Sequence, residues 1–168
     1  NGANLKTDRE ANQQGGFSVS QLDMYGDNSH GNQFAELNCE EQGALYQDIL
    51  TTPGAECYWD LDHAARRVSG GATNSMLVVA MSTKNALNYT QDTQLDKIVA
   101  EANAKGVASI SNEYENGVEI TLEDGSKATV WKVTSTTTAG QWKHNSGKYT
   151  VPVSDENYLT RFFFISID

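Results

Sequence analysis

The sequence predicts a mainly β chain, an antiparallel sandwich or barrel with one inserted helix. Three observations predict it. Short apolar or alternating runs recur along the chain, with Gly, Pro, Asn and Asp between them, which is the spacing of a many-stranded β fold. Two of these runs, 75–82 (SMLVVAMS) and 159–167 (LTRFFFISI), are nearly continuous in apolar residues, as in strands covered on both faces. One segment, 90–106, instead repeats apolar residues at helical spacing.

Taken in order, residues 1–16 are polar, end in Gln13-Gln14-Gly15-Gly16 and read as a flexible lead. Residues 17–25 have strand composition, and 26–33 (GDNSHGNQ) form a polar loop. The stretch 34–63 reads as a meander of three neighbouring strands, 34–39, 44–50 and 56–63. Its breaks are Glu40-Glu41-Gln42-Gly43 and Thr52-Pro53-Gly54. Pro pre-sets the first central dihedral of a type II turn and Gly takes the positive φ at the second. In the third run Cys57, Trp59, Leu61 and His63 alternate with Tyr58, Asp60 and Asp62, so one side is buried and the other wet.

A loop over 64–74 precedes the apolar run 75–82, and 85–90 is a connector. In the helix, Leu95, Ile98, Val99 and Ala102 make one stripe; Thr90 or Asp92 caps its start and Lys105-Gly106 ends it. A loop over 107–116 leads to a hairpin, 117–122 and 127–134, turning around Glu123-Asp124-Gly125-Ser126, where Asp-Gly is a strong turn pair. After the loop 134–140, residues 141–152 form a strand that carries Trp142, His144 and Tyr149. A turn at Asp155-Glu156-Asn157 precedes the last apolar run. This organisation is one domain over 17–168 with a helical insertion at about 85–116.

A chain of 168 residues can bury roughly two-thirds of its unfolded surface. Its charge of −10, from 22 Asp and Glu against 12 Lys and Arg, argues against nucleic acid and anionic membrane as partners. Cations, neutral sugars and basic proteins remain compatible. No apolar run is long enough for a spanning helix, so membrane insertion is not expected. The chain reads as part of a larger multidomain protein. Cys39 and Cys57 either join as a disulfide or stay as two buried thiols.

Two groups of residues are candidates for ligand contact. The first is the loop with Asp27, Asn28, His30 and Asn32, a polar rim at one end of a sandwich. The second is a shared polar face of the meander: Glu36, Tyr46, Asp48, Tyr58, Asp60 and Asp62. Sugars need planar hydrogen-bonding groups and an aromatic ring to stack on, and this face supplies both. Ordinary turn chemistry and cross-strand pairing explain the same residues without a ligand. Arg66, in the following loop, can fork onto a carboxylate, either of a ligand or of Glu36 or Asp62. Cys39-Glu40-Glu41-Gln42 has the spacing of an internal thioester but also fits a plain strand turn. Lys132, Lys148 and Glu119 are the candidates for an isopeptide crosslink. No nucleophile elbow, phosphate loop, HExxH or CxxC spacing occurs, and the chain is expected to be non-catalytic.

The segments GNQFAELN, ALYQDILTTPGAECYWDLDH and WKHNSGKYTVP followed by LTRFFFISI resemble carbohydrate-binding-module jelly rolls of the galactose-binding-like kind. More narrowly, they are similar to domains of large cell-wall-anchored proteins of Gram-positive bacteria. The resemblance implies an antiparallel β-sandwich of jelly-roll type with one inserted α-helix. It implies a glycan-binding module of an extracellular bacterial surface protein, cell-wall-anchored or secreted. An adhesin or stalk domain that binds a host protein or acts as a spacer is the alternative. The resemblance further implies a structural calcium beside the last strand, where Asp168 is the acidic residue.

Overall fold

Apolar residues alternate outward from both sides of strand β4 (Ser75–Ser82), and both sides are buried. Leu77, Val79 and Met81 enter one core cluster, and Met76, Val78 and Ala80 enter another. β4 is therefore the middle layer of three. The computed structural model describes residues 37, 44–65, 72–89, 92–153 and 158–167, with the backbone of 4–6.

Around β4 lie β1 (Asn4–Lys6), β2 (Ala44–Leu50), β6 (Val118–Thr121), β7 (Lys127–Thr134) and β9 (Leu159–Ser166), in the six-stranded order β1-β2-β9-β4-β7-β6. The second sheet has the order β3-β8-β5, from β3 (Glu56–His63), β8 (Lys143–Thr150) and β5 (Glu115–Asn116). Helix α1 (Thr83–Ala86) follows β4, and helix α2 (Asp92–Ala104) covers the outer side of the large sheet. The chain is thus a β-sandwich with a small helical part.

The pairing is nested: β2 with β9, β3 with β8, β4 with β7, all antiparallel. This is one long hairpin, and it rolls up because β9 also pairs with β4. That connectivity is the jelly roll's. At the tip of the hairpin, between β4 and β7, sit α1, α2, β5 and β6.

Local sequence explains the elements. In α2 the stripe Leu95, Ile98 and Ala102 is buried in the same core cluster as Val79, Ile120 and Val130, as its spacing predicts. The helix ends in a Schellman pair: Gly106 N–H bonds Asn103 O at 2.9 Å and Val107 N–H bonds Ala102 O at 3.0 Å. Of the two expected caps, Thr90 lies outside the described residues and Asp92 is the first residue of the helix itself. The hairpin β6–β7 closes through Gly125 N–H to Leu122 O and Leu122 N–H to Ser126 O, both 2.8 Å. Glu123-Asp124-Gly125 is thus a three-residue loop within the expected turn, with Gly125 at φ 80°.

One expectation is corrected. The stretch 34–63 is not a meander of side-by-side strands, because β2 and β3 belong to different sheets. Ile49 of β2 and Cys57 and Leu61 of β3 pack into the same inter-sheet core, facing one another across it. The Pro53-Gly54 turn does form, with Gly54 at φ 79° and Ala55 N–H on Thr52 O at 2.9 Å. It works as a corner: Thr51 N–H bonds Tyr158 O beside the large sheet, while Gly54 N–H and Ala55 O bond Val151 beyond β8. Within the lead 1–16, Asn4–Lys6 is strand β1, paired antiparallel with β2; the rest of the lead lies outside the described residues. The runs 17–25 and, apart from Leu37, 34–39 lie outside the described residues. Leu37 packs against the inter-sheet core.

Candidate ligand-binding face

Alternation along β3 decides what the small sheet offers to solvent. Trp59, at 8% exposure, lies inward, where its ring meets Trp131 edge-on at a centroid distance of 5.5 Å. Cys57 and Leu61 share that side, and Cys57 is a free thiol whose pKa burial raises. Glu56, Tyr58, Asp60 and Asp62 are consequently on the outer side and exposed. Register sets their neighbours on β8: Tyr58 lies opposite Lys148, Asp60 opposite Ser146, and Asp62 opposite His144.

These cross-strand neighbours interact. Lys148 Nζ donates to Glu56 Oε1 at 3.0 Å, and Tyr58 Oη donates to Glu56 Oε2 at 3.0 Å. The Lys148 hydrogen bond, then that from Tyr58, hold the Glu56 carboxyl below its ordinary pKa. The same contact with Glu56 raises both the Tyr58 phenol and the Lys148 ammonium. His144 Nδ1 sits 3.1 Å from Asp62 Oδ1. Asp60 has no hydrogen-bond partner among the described residues.

The segment before β5 completes the face. Ser111 and Asn112 N–H groups both donate to Glu115 Oε2 at 3.1 Å, closing a tight loop. Those backbone donors lower the Glu115 carboxyl pKa. Trp131 Nε1 donates to Glu115 O at 2.8 Å, tying the loop to the core. Tyr114 then takes φ 52°, left-handed space that bulky residues seldom enter. Its N–H donates to Ser146 Oγ at 3.0 Å, and Ser146 is buried beneath it. Its ring meets the Tyr58 ring at 5.4 Å and 88°. Tyr58 and Tyr114 are 58% and 48% exposed, so two aromatic rings stand in water beside the charged residues of β3 and β8.

Of the residues picked from sequence, Tyr58, Asp60 and Asp62 share this face. Tyr46 does not. It lies on β2 in the large sheet, where the Arg161 guanidinium sits 3.9 Å from its ring centroid. Asp48 stays with it, accepting Arg161 Nε at 2.7 Å and Nη2 at 2.8 Å, the two-pronged form of an Arg–carboxylate pair. The expected common face of Tyr46 and Tyr58 is therefore divided between two sheets. Asp27, Asn28, His30, Asn32, Glu36, Arg66 and Asp168 lie outside the described residues. His63 is on the inner side as expected, but its Nδ1 finds no hydrogen-bond partner among the described residues. Sequence reasoning missed Tyr114, His144, Lys148 and Ser146 as parts of the face. An aromatic within the otherwise polar 111–117 was the signal for Tyr114.

Among the described residues no group of three His, Cys, Asp or Glu is placed to hold a metal ion. Among them, also, no helix is long and apolar enough to cross a membrane. The chain matches no family model, no curated protein and no solved structure.

Proposed function

We propose that the chain is a non-catalytic glycan-binding module of an extracellular bacterial surface protein, and that the outer face of β3, β8 and β5 is its binding face. The observation that carries this reading is the exposed Tyr58–Tyr114 pair on the same face as Asp60, a carboxylate with no hydrogen-bond partner among the described residues. Aromatic rings cover the apolar side of a sugar while carboxylates accept its hydroxyl protons. The resemblance of GNQFAELN and WKHNSGKYTVP to carbohydrate-binding jelly rolls supports the same reading. A glycan array tests it. Binding that is lost in Tyr114→Ala and in Tyr58→Ala sustains the proposal. Correctly folded wild-type chain that binds nothing overturns it.

The alternative is an adhesin or stalk domain. The Glu56–Lys148 and Asp62–His144 pairs favour it, because groups already engaged with one another suit a solvated wall. It predicts that both tyrosines can be replaced without changing any binding of the parent protein.

A further inference from the structure

The geometry of the tyrosine pair restricts what the face can hold. Coplanar rings make a platform on which an extended ribbon of sugars can lie. Tyr58 and Tyr114 stand at 88°, with centroids 5.4 Å apart. Two rings at a right angle make a corner, and a corner admits one sugar ring against its walls. The corner is held from several sides. Tyr58 Oη is fixed by Glu56, and Tyr114 is pinned through its N–H to Ser146 and through the next residue's carbonyl to Trp131. These bonds fix the Tyr114 backbone and the Tyr58 hydroxyl, the two ends from which the corner is built.

Charge restricts the occupant further. Of the β3 carboxylates on this side, Glu56 is engaged by Lys148 and Tyr58, and Asp62 by His144. Asp60 lies two residues from Tyr58 on the same side, about 7 Å along the strand. Its cross-strand neighbour Ser146 is buried and already accepts from Tyr114. Among the described residues Asp60 has no hydrogen-bond partner, so the group it offers beside the corner is a carboxylate, whose oxygens accept hydrogen bonds. It favours hydroxyl and ammonium donors and repels carboxylate or sulfate.

Resting on the glycan-binding reading, we infer that the corner takes a single non-anionic sugar ring, at a chain end or branch, with Asp60 accepting from its hydroxyl or amino group. Calorimetric titration with defined probes tests this. Glucose, galactose, glucosamine and N-acetylglucosamine are compared with their linear tetramers, with glucuronic and galacturonic acids, and with microcrystalline cellulose. One of the four monosaccharides should bind within about threefold of its own tetramer, and the matching acid at least about tenfold more weakly. Asp60→Asn, an exposed change that leaves folding intact, should shrink that penalty to under about threefold. Affinity that climbs about tenfold or more from monomer to tetramer, retention on cellulose, or preference for an acid overturns the inference while leaving glycan binding standing. Folded chain that binds none of the probes overturns both.

Discussion

Trp59 fills the space that a side chain on Gly147 would need. The two are register partners on β3 and β8, and a Cβ at Gly147 would fall 2.4 Å from both Cε2 and Cζ2 of the indole. The bare backbone at this position lets the indole lie between the sheets and reach Trp131. The outer positions Tyr58 and Asp60 owe their exposure to the same alternation, so the core contact and the candidate face are set by one strand.

Gly147→Ala should therefore lower stability by about 1–3 kcal/mol, the usual range for forcing extra volume into a packed core. Urea unfolding reads it directly. Because the conflict is with one ring, Trp59→Leu should make the glycine substitution less costly, and a double-mutant cycle should show coupling. Additive effects would place the strain elsewhere.

Arg161 is buried, with its guanidinium against the Tyr46 ring and both prongs on Asp48. Asp48→Ala leaves that cation without its anion. The expected loss is about 2–3 kcal/mol, below the about 3–5 for a fully buried pair because Asp48 keeps some water contact. A change under about 0.5 kcal/mol by denaturant titration would mean that the pair is only ornamental to the fold.

His63 should make stability depend on pH in a defined window. Burial, and then the nearby Lys143 charge, push its imidazole below the ordinary value of 6.5. The unfolded chain takes up the proton near 6.5 and the folded chain only at lower pH. Stability from this group is therefore complete above about 6.5 and declines as pH falls below it. Glu56 and Asp124, both lowered from ordinary carboxyl values, add their losses only at more acidic pH. In a background where His30 and His144 are Gln, the melting temperature should fall from pH 7 to 5.5, and His63→Gln should flatten that fall. An unchanged slope would remove His63 as its cause.

Tyr114 pays in backbone strain for the position of its ring. A bulky residue held in left-handed space costs about 1–2 kcal/mol, whereas the edge-to-face contact with Tyr58 returns about 0.5–1.5. Tyr114→Gly should leave thermal stability equal or slightly raised while abolishing sugar binding. A stability loss above about 1.5 kcal/mol would show that the ring supports the fold more than it serves a ligand.

What could be read in the sequence follows from what side-chain patterns encode. β4, β9 and α2 stand out because covering on both sides, or along a stripe, fixes residue type at nearly every position: Met76 to Met81, Phe162 to Ile165, and Leu95, Ile98 and Ala102. The common side of Tyr58, Asp60 and Asp62 is legible for the same reason, since it needs only one strand's alternation. Neighbours are a different matter. Alternation in β2 and β3 states that each has a buried side and does not state which strand lies alongside. A short Pro-Gly connection fits a hairpin and a corner equally well, and here it is the corner. Tyr114, Lys148 and His144 join the face only through β8's register with β3 and the loop before β5, distances in sequence that no local pattern spans.

β9 has a consequence for how the molecule is made. Seven of its residues align with β2, from Leu159 opposite Leu50 to Ile165 opposite Ala44, and Thr160 through Ser166 align with β4 on the other flank. A ribosome releases β2 and β4 long before this segment exists. Each of them meanwhile offers an open row of amides and carbonyls to any passing extended chain. One late insertion shuts both rows together, so a nascent chain halted short of residue 159 is the species most prone to aggregate.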